Sequence, residues 1–239
     1  MEETKKPAYR RVLLKLSGEA LSAGADGILN HEFIGQIANV LKDCLAQGVE
    51  IGVIVGAGNI WRGRQGIDMD PTTADHMGML GTAINSLALQ DAFRRAGIDA
   101  RAMTAVPMEA FAEPYTRARA IHHLEKGRVV IFGCGLGLPF FSTDTAAALR
   151  AAEIDADVVL MAKNIDGVYT ADPRKDASAR KLDSITYQDV IARGLAALDL
   201  TATSFCMDKK IPVLVFGLDK PENILRAVMG EHLGTVISE

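Results

Sequence analysis

A lysine closes the first apolar run of this chain, and a glycine turn follows it at once: Leu14-Lys15-Leu16-Ser17-Gly18-Glu19. A cation inside a buried strand is costly unless an anion meets it. Glycine turns let backbone N–H groups approach such an anion closely. Two more glycine loops follow apolar runs, Gly56-Ala57-Gly58-Asn59 and Gly133-Cys134-Gly135-Leu136-Gly137. Arg62, in Trp61-Arg62-Gly63, stands just past the second loop and could reach the same anion. Asp144, after Phe140-Phe141-Ser142-Thr143, and Asp75 each stand at a predicted helix start, where an N-cap role is the plainest reading. The inventory suits phosphoryl transfer to an acceptor that is already anionic. Such a reaction needs positioning and charge neutralisation more than a strong base.

The elements that must position these residues alternate. Strands are expected at Val12–Leu16, Ile51–Val55, near Arg101–Thr104, at Val129–Phe132, Asp157–Lys163 and Val213–Phe216. Helices are expected over Asn30–Gln47, Asp75–Ala96, around Thr116–Glu125, from Thr143 or Asp144 to about Glu153, near Tyr187–Ile191 and over Thr201–Lys209. A hairpin-like stretch lies near Gly167, and a last helix and strand close the chain. Near-continuous apolar strands alternating with helices predict an α/β fold with a mostly parallel sheet covered on both faces. In such a sheet the three glycine loops share one edge, where ligands bind. No linker divides the 239 residues, so one domain over 1–239 is expected, with residues 1–8 as a flexible N-terminal segment.

Other classes are disfavoured. No GxxxxGK[ST] occurs, and neither Gly56–Gly63 nor Gly133–Gly137 has the setting of a dinucleotide fingerprint. A net charge of −4 argues against a nucleic-acid partner. No run is long enough to span a membrane. Three scattered cysteines fit a reduced, cytoplasmic setting and no metal cage. His122-His123 reads as a solvated helix face, and Met77–Leu80 as core or subunit contact.

Several blocks together resemble the bacterial UMP kinases, a branch of the amino-acid kinase fold family. They are Leu14–Ala20, Gly58-Asn59 with Arg62-Gly63, Asp75-His76-Met77-Gly78-Met79-Leu80, Pro139-Phe140-Phe141 with Thr143-Asp144, and Asp166–Pro173. The match runs in order from about Tyr9 to Ser238, and the Asp75–Leu80 block separates these kinases from relatives that act on amino acids. The resemblance implies a three-layer α/β/α sandwich and transfer of the ATP γ-phosphoryl group to UMP in pyrimidine nucleotide biosynthesis. It implies catalytic roles for Lys15, Arg62 and Asp144. ATP would be held by Lys15, Leu16, Ser17, Gly18, Gly58, Arg62, Lys163, Tyr169 and Asp172. UMP would be held by Ala57, Asp75, Leu136, Gly137, Leu138, Pro139, Phe140, Phe141, Ser142 and Thr143. Mg²⁺ would arrive with ATP and need no protein ligand.

The resemblance also implies a homohexamer with GTP or UTP as effectors. Arg94, Arg101 and Arg128 would serve that regulatory site, in a chain region that also carries Arg95, Arg117 and Arg119. Ala57 stands where the family has glycine, and Leu136 and Leu138 where it has polar residues, so contacts there fall to the backbone. A carboxylate-directed kinase is disfavoured by the Asp75–Leu80 block. A storage protein of the same fold is disfavoured by Lys15, Arg62 and Asp144.

Overall fold

Strands buried on both faces, with side chains pointing alternately to either side, explain how the layers assemble. The computed structural model describes residues 6–62 and 68–239, and the elements follow in chain order. They are β1 (Arg11–Leu16), α1 (Gly18–Ser22), α2 (His31–Ala46), β2 (Glu50–Val55), α3 (Pro71–Arg95), β3 (Ala100–Thr104) and β4 (Glu113–Pro114). Next come α4 (Arg117–Glu125), β5 (Val129–Gly133), α5 (Thr143–Glu153), β6 (Val158–Lys163), β7 (Val168–Tyr169), β8 (Lys181–Leu182) and β9 (Ser184–Thr186). The last are α6 (Tyr187–Ala192), α7 (Leu200–Lys209), β10 (Val213–Gly217), α8 (Asn223–Val228) and β11 (Thr235–Ser238).

Among the described residues the main sheet runs β4-β3-β5-β2-β1-β6-β10-β11-β9. All pairings are parallel except β10 with β11. The hairpin near Gly167 is β7 paired antiparallel with β8. Val12, Leu14 and Leu16 face one core with Ile37 and Leu41 of α2, Phe93 of α3 and Ala227 of α8. Leu13, Ile54 and Phe132 face the other, with Leu124 of α4, Ala147 of α5, Val190 of α6 and Cys206 of α7. The period of two along each strand thus splits the interior into two cores and makes a three-layer α/β/α sandwich.

Several boundaries differ from the sequence reading for local reasons. The third helix starts at Pro71, with Asp70 accepting the Thr73 N–H at 2.9 Å. Asp75 therefore lies inside the helix and does not open it; proline at the first position was the overlooked signal. The helix after β5 is capped by Ser142, which accepts from Thr145 N–H at 3.0 Å, so neither Thr143 nor Asp144 is the cap. The turn after β1 is itself a short helix capped by Ser17. Ala8 donates to the Val228 carbonyl at 3.0 Å. Residues 1–5 of the expected N-terminal segment, and Gly63, lie outside the described residues.

Candidate active site

Lys15 shares its sheet face with Leu13, so its side chain points into the layer that holds α5. There Asp144, in the first turn of α5, meets it: Nζ to Oδ1 is 2.9 Å. Lys163, at the end of the neighbouring β6, approaches the other oxygen of Asp144 at 3.7 Å. The anion that the Lys15 argument demanded is thus a carboxylate of the chain itself, flanked by two cations. Burial alone would push the Asp144 carboxyl up, yet Lys15 and Lys163 hold it below the usual carboxylate value. For Lys163, burial lowers the ammonium's hold on its proton more than Asp144 restores it. Lys163 also donates to the Ala197 carbonyl.

Asp199, which the sequence reading passed over, braces this group. It accepts from Ser142 Oγ, from Thr145 Oγ1 at 3.1 Å, and from the N–H of Ala202 at 2.9 Å. One carboxylate caps α7 and fixes the start of α5, where Asp144 stands. Its only signal in the sequence was that of an ordinary helix cap.

The glycine loops after β1 and β2 interlock. A Cβ on Gly18 would come within 2.6 Å of the Gly56 carbonyl, the Gly58 nitrogen and Asn59 Oδ1. Glycine is needed there for close approach alone. Asn59 and Asn85 exchange hydrogen bonds at 3.0 and 2.8 Å, and Asn85 also holds the Gly56 carbonyl at 2.8 Å. Among the described residues no acceptor takes the Ala57 or Gly58 N–H. Arg62 pairs with Glu19. Leu16 has its side chain wholly in the core, so any ligand contact falls to its backbone.

Three hollows line this edge. The first, of about 170 Å³, is walled by Ala57, Asp75, Leu136, Leu138, Phe141 and Thr143, together with Ser142, Trp61 and Cys134. Asp75 accepts the Phe140 N–H at 2.7 Å, and Phe140 takes a left-handed φ of 69°. Gly137, Pro139 and Phe140 belong to the same loop without walling the hollow. A second hollow of about 390 Å³ is bordered by Lys15, Ser17, Glu19, Lys163, Asp172 and Arg174. It shares Lys163 and Asp172 with a third, of about 480 Å³, where Tyr169, Leu195 and Val215 lie. Lys15 and Lys163 border the larger hollows, and Thr143, next in the chain to Asp144, walls the small one. That arrangement can hold an acceptor on one side and a nucleotide on the other, with cations at the junction.

The arginines gather only in part. Arg101 and Arg128 both pair with Asp99, and Arg94 and Arg101 both donate to the Ala100 carbonyl at about 3.0 Å. Burial pushes the Asp99 carboxyl up, and hydrogen bonds from Arg128 and Arg101 outweigh it, leaving the group below its usual value. Arg117 pairs elsewhere, with Asp155. The histidine pair is not wholly a solvated face. His122 is exposed, whereas His123 turns inward between Glu113 at 2.9 Å and Arg128 at 3.1 Å.

Comparison with known proteins bears on the family and the fold. Residues 10–217 match the amino acid kinase family. The structure is similar to that of UMP kinase from Bacillus anthracis, with a TM-score of 0.93 and 40% identity over 96% of both chains. UMP kinase from Ureaplasma parvum gives a TM-score of 0.91 and 32% identity over 96% of this chain and 99% of that one. Uridylate kinase from Archaeoglobus fulgidus gives 0.75 and 33%, over 95% and 99%.

Proposed function

The chain belongs to the amino acid kinase family, and on that premise we propose that it transfers the γ-phosphoryl group of ATP to the phosphate of UMP, giving ADP and UDP. The observation that carries this reading is the cluster of Lys15, Asp144 and Lys163, with Lys163 bordering the larger hollow and Thr143, beside Asp144, walling the small one. A cavity of about 480 Å³ lies within the range that holds drug-sized ligands. The relatives named above are UMP or uridylate kinases, which supports the choice of acceptor.

A phosphate oxygen of UMP attacks the γ-phosphorus as the bond to the ADP oxygen breaks. The attacking oxygen is already anionic, so no side chain has to remove a proton. Lys15 and Lys163 offset charge on the transferring group. Asp144 holds both ammonium groups at the junction. Free N–H groups at Ala57 and Gly58 receive phosphate oxygens, and Arg62 adds a bidentate donor. Tyr169 and Asp172 border the nucleoside end. Mg²⁺ enters as MgATP, as part of the substrate. Asp144 is engaged by two lysines.

A coupled assay of ADP release tests the reading, with UMP, CMP, dTMP, aspartate and glutamate offered as acceptors. Turnover with UMP well above that with every other acceptor is expected, because a polar reading site penalises analogues that leave its groups unpaired. Turnover with an amino acid and none with UMP would overturn it. The same reading makes the protein a cytoplasmic homohexamer of pyrimidine nucleotide synthesis, with GTP or UTP acting at the Arg94, Arg101 and Arg128 cluster. Titrating GTP at fixed ATP and UMP, in wild type and in Arg101→Ala and Arg128→Ala, tests that part. Identical responses in all three would remove the cluster from regulation.

A further inference from the structure

Behind the acceptor hollow lies a charge cluster around a buried arginine that the transfer step does not use. Arg150 stands on α5 less than two turns after Asp144 and is only 5% exposed. Its guanidinium lies over the Tyr115 ring, 3.8 Å from the centroid. One nitrogen pairs with Glu153 at 2.5 Å, and another donates to the Gly135 carbonyl at 3.2 Å. The Tyr115 hydroxyl donates to the same Glu153 oxygen at 2.5 Å, and the Tyr115 ring packs edge-on against Phe132 at 5.6 Å. The arginine is therefore fixed by a carboxylate and an aromatic face, and it spends its remaining fork on one loop carbonyl. A planar guanidinium held this way imposes direction as well as charge.

That carbonyl belongs to the loop that walls the acceptor hollow. A trans peptide is planar, so the carbonyl of Gly135 and the N–H of Leu136 point in opposite directions. With the carbonyl drawn back to Arg150, the Leu136 N–H is turned away from that cluster, in a residue that walls the hollow. Among the described residues no acceptor takes it. Nearby donors of the loop are fastened: Cys134 N–H donates to Thr82 Oγ1 at 2.8 Å, and Gly137 N–H to the Cys134 carbonyl at 2.8 Å. Around the free donor stand Leu136, Leu138, Met79 and Phe141, side chains that suit the faces of a planar base.

We infer that Arg150 is a positioning residue for the acceptor nucleotide, holding the Gly135–Leu136 peptide so that the Leu136 N–H meets a carbonyl oxygen of the base. The inference rests on the reading that this hollow takes UMP. It assigns recognition of the base to a backbone donor whose direction is set from behind, by a residue that never touches the ligand.

The single tryptophan of the chain, Trp61, walls the same hollow, so its fluorescence reports ligand binding without turnover. Three variants are compared with wild type: Arg150→Lys, Arg150→Met, and Arg150→Met with Glu153→Met. The lysine variant keeps the pair with Glu153 and lacks the second nitrogen that reaches Gly135. The double variant leaves no partly buried carboxylate without its cation. Each is melted, titrated with UMP and with ribose 5-phosphate, and assayed for kcat and both KM values. In the folded variants UMP affinity should fall about tenfold, the worth of one well-placed hydrogen bond. Ribose 5-phosphate affinity, the KM for ATP and kcat should stay within about twofold. Unchanged UMP affinity in any folded variant overturns the inference. So does an equal loss for ribose 5-phosphate, which would mark Arg150 as support for the fold alone. Failure of wild type to bind UMP would instead overturn the acceptor reading on which the inference depends.

Discussion

Ala57 owes its place to a glycine on the facing helix. A Cβ built on Gly81 of α3 would lie 2.9 Å from the Ala57 methyl and 3.6 Å from Cβ and Cγ2 of Ile60. Carbon atoms at rest stand about 3.5–4.0 Å apart, so Gly81→Ala creates an overlap of roughly 0.6–1.1 Å by that standard, and Ile60 blocks the sideways escape. Overpacking of this kind costs about 1–3 kcal/mol. Replacing a mid-helix glycine by alanine returns up to about 1 kcal/mol. The net effect in wild type is a loss of about 0–2 kcal/mol. In an Ala57→Gly background the overlap is gone, and the same substitution should stabilise by up to about 1 kcal/mol. Urea unfolding of the four proteins gives the coupling energy, expected at about 1–3 kcal/mol. Because Gly78, Met79 and Thr82 of α3 wall the acceptor hollow, Gly81→Ala should also weaken UMP binding, and Ala57→Gly should restore it. Ala57→Gly alone should leave UMP binding no weaker than wild type. A coupling energy under about 0.5 kcal/mol would refute the steric argument, since unrelated sites add within that margin.

Lys15→Ala should lower kcat by about 100- to 1,000-fold, the usual loss for a transition-state charge contact, with Asp144 still paired to Lys163; kcat within a few-fold of wild type would remove Lys15 from catalysis. Lys163 should lose its charge at lower pH than an ordinary lysine, so the alkaline limb of kcat/KM should lie below about 10.4 and move upward in Lys163→Arg. The stability sign is opposite. Between its folded and unfolded pKa values Lys163 holds fewer protons when folded, so its contribution to stability rises with pH across that window. A melting temperature that fell in step with activity there would contradict the assignment. Glu19→Gln removes the partly exposed counter-ion of Arg62 and should lower the KM for ATP about two- to five-fold, matching the modest worth of such pairs; a raised KM would mean that Glu19 helps the ligand.

How much of this was legible beforehand varied with the physics involved. A lysine inside an apolar strand has to find an anion, and Lys15 found Asp144. Strands buried on both faces fixed the sheet class, and glycines after strands fixed its working edge. Helix starts were harder. Ser142, Thr143 and Asp144 are all good caps, and only the backbone chooses among them. Asp199 looked like any cap, because its second task depends on α5 and α7 packing side by side. His122 and His123 are adjacent, so the rotation of little more than a quarter-turn between helix neighbours sends them to different surroundings, and periodicity alone did not say which turns inward. Short strands such as β4 and β9 exist only through their partners, β3 and β11, and have no sequence signal of their own.

The sheet order has a consequence for how the molecule is made. β1 lies between β2 and β6, and β6 follows it roughly 140 residues later. At about 5–20 residues per second, the ribosome would leave one flank of β1 unpaired for on the order of ten seconds. Over that interval the backbone donors and acceptors of a mostly apolar strand stand open to any other strand. The later residues close it in two ways: β6 supplies the ladder, and Asp157 just before it takes the Arg10 and Arg11 N–H groups at 2.7 and 2.8 Å. Lys15 gains its full set of neighbours at the same moment. A nascent chain halted before Asp157 would therefore be both unreactive and prone to self-association, and once β6 emerges the open flank passes to β6 itself until β10 covers it.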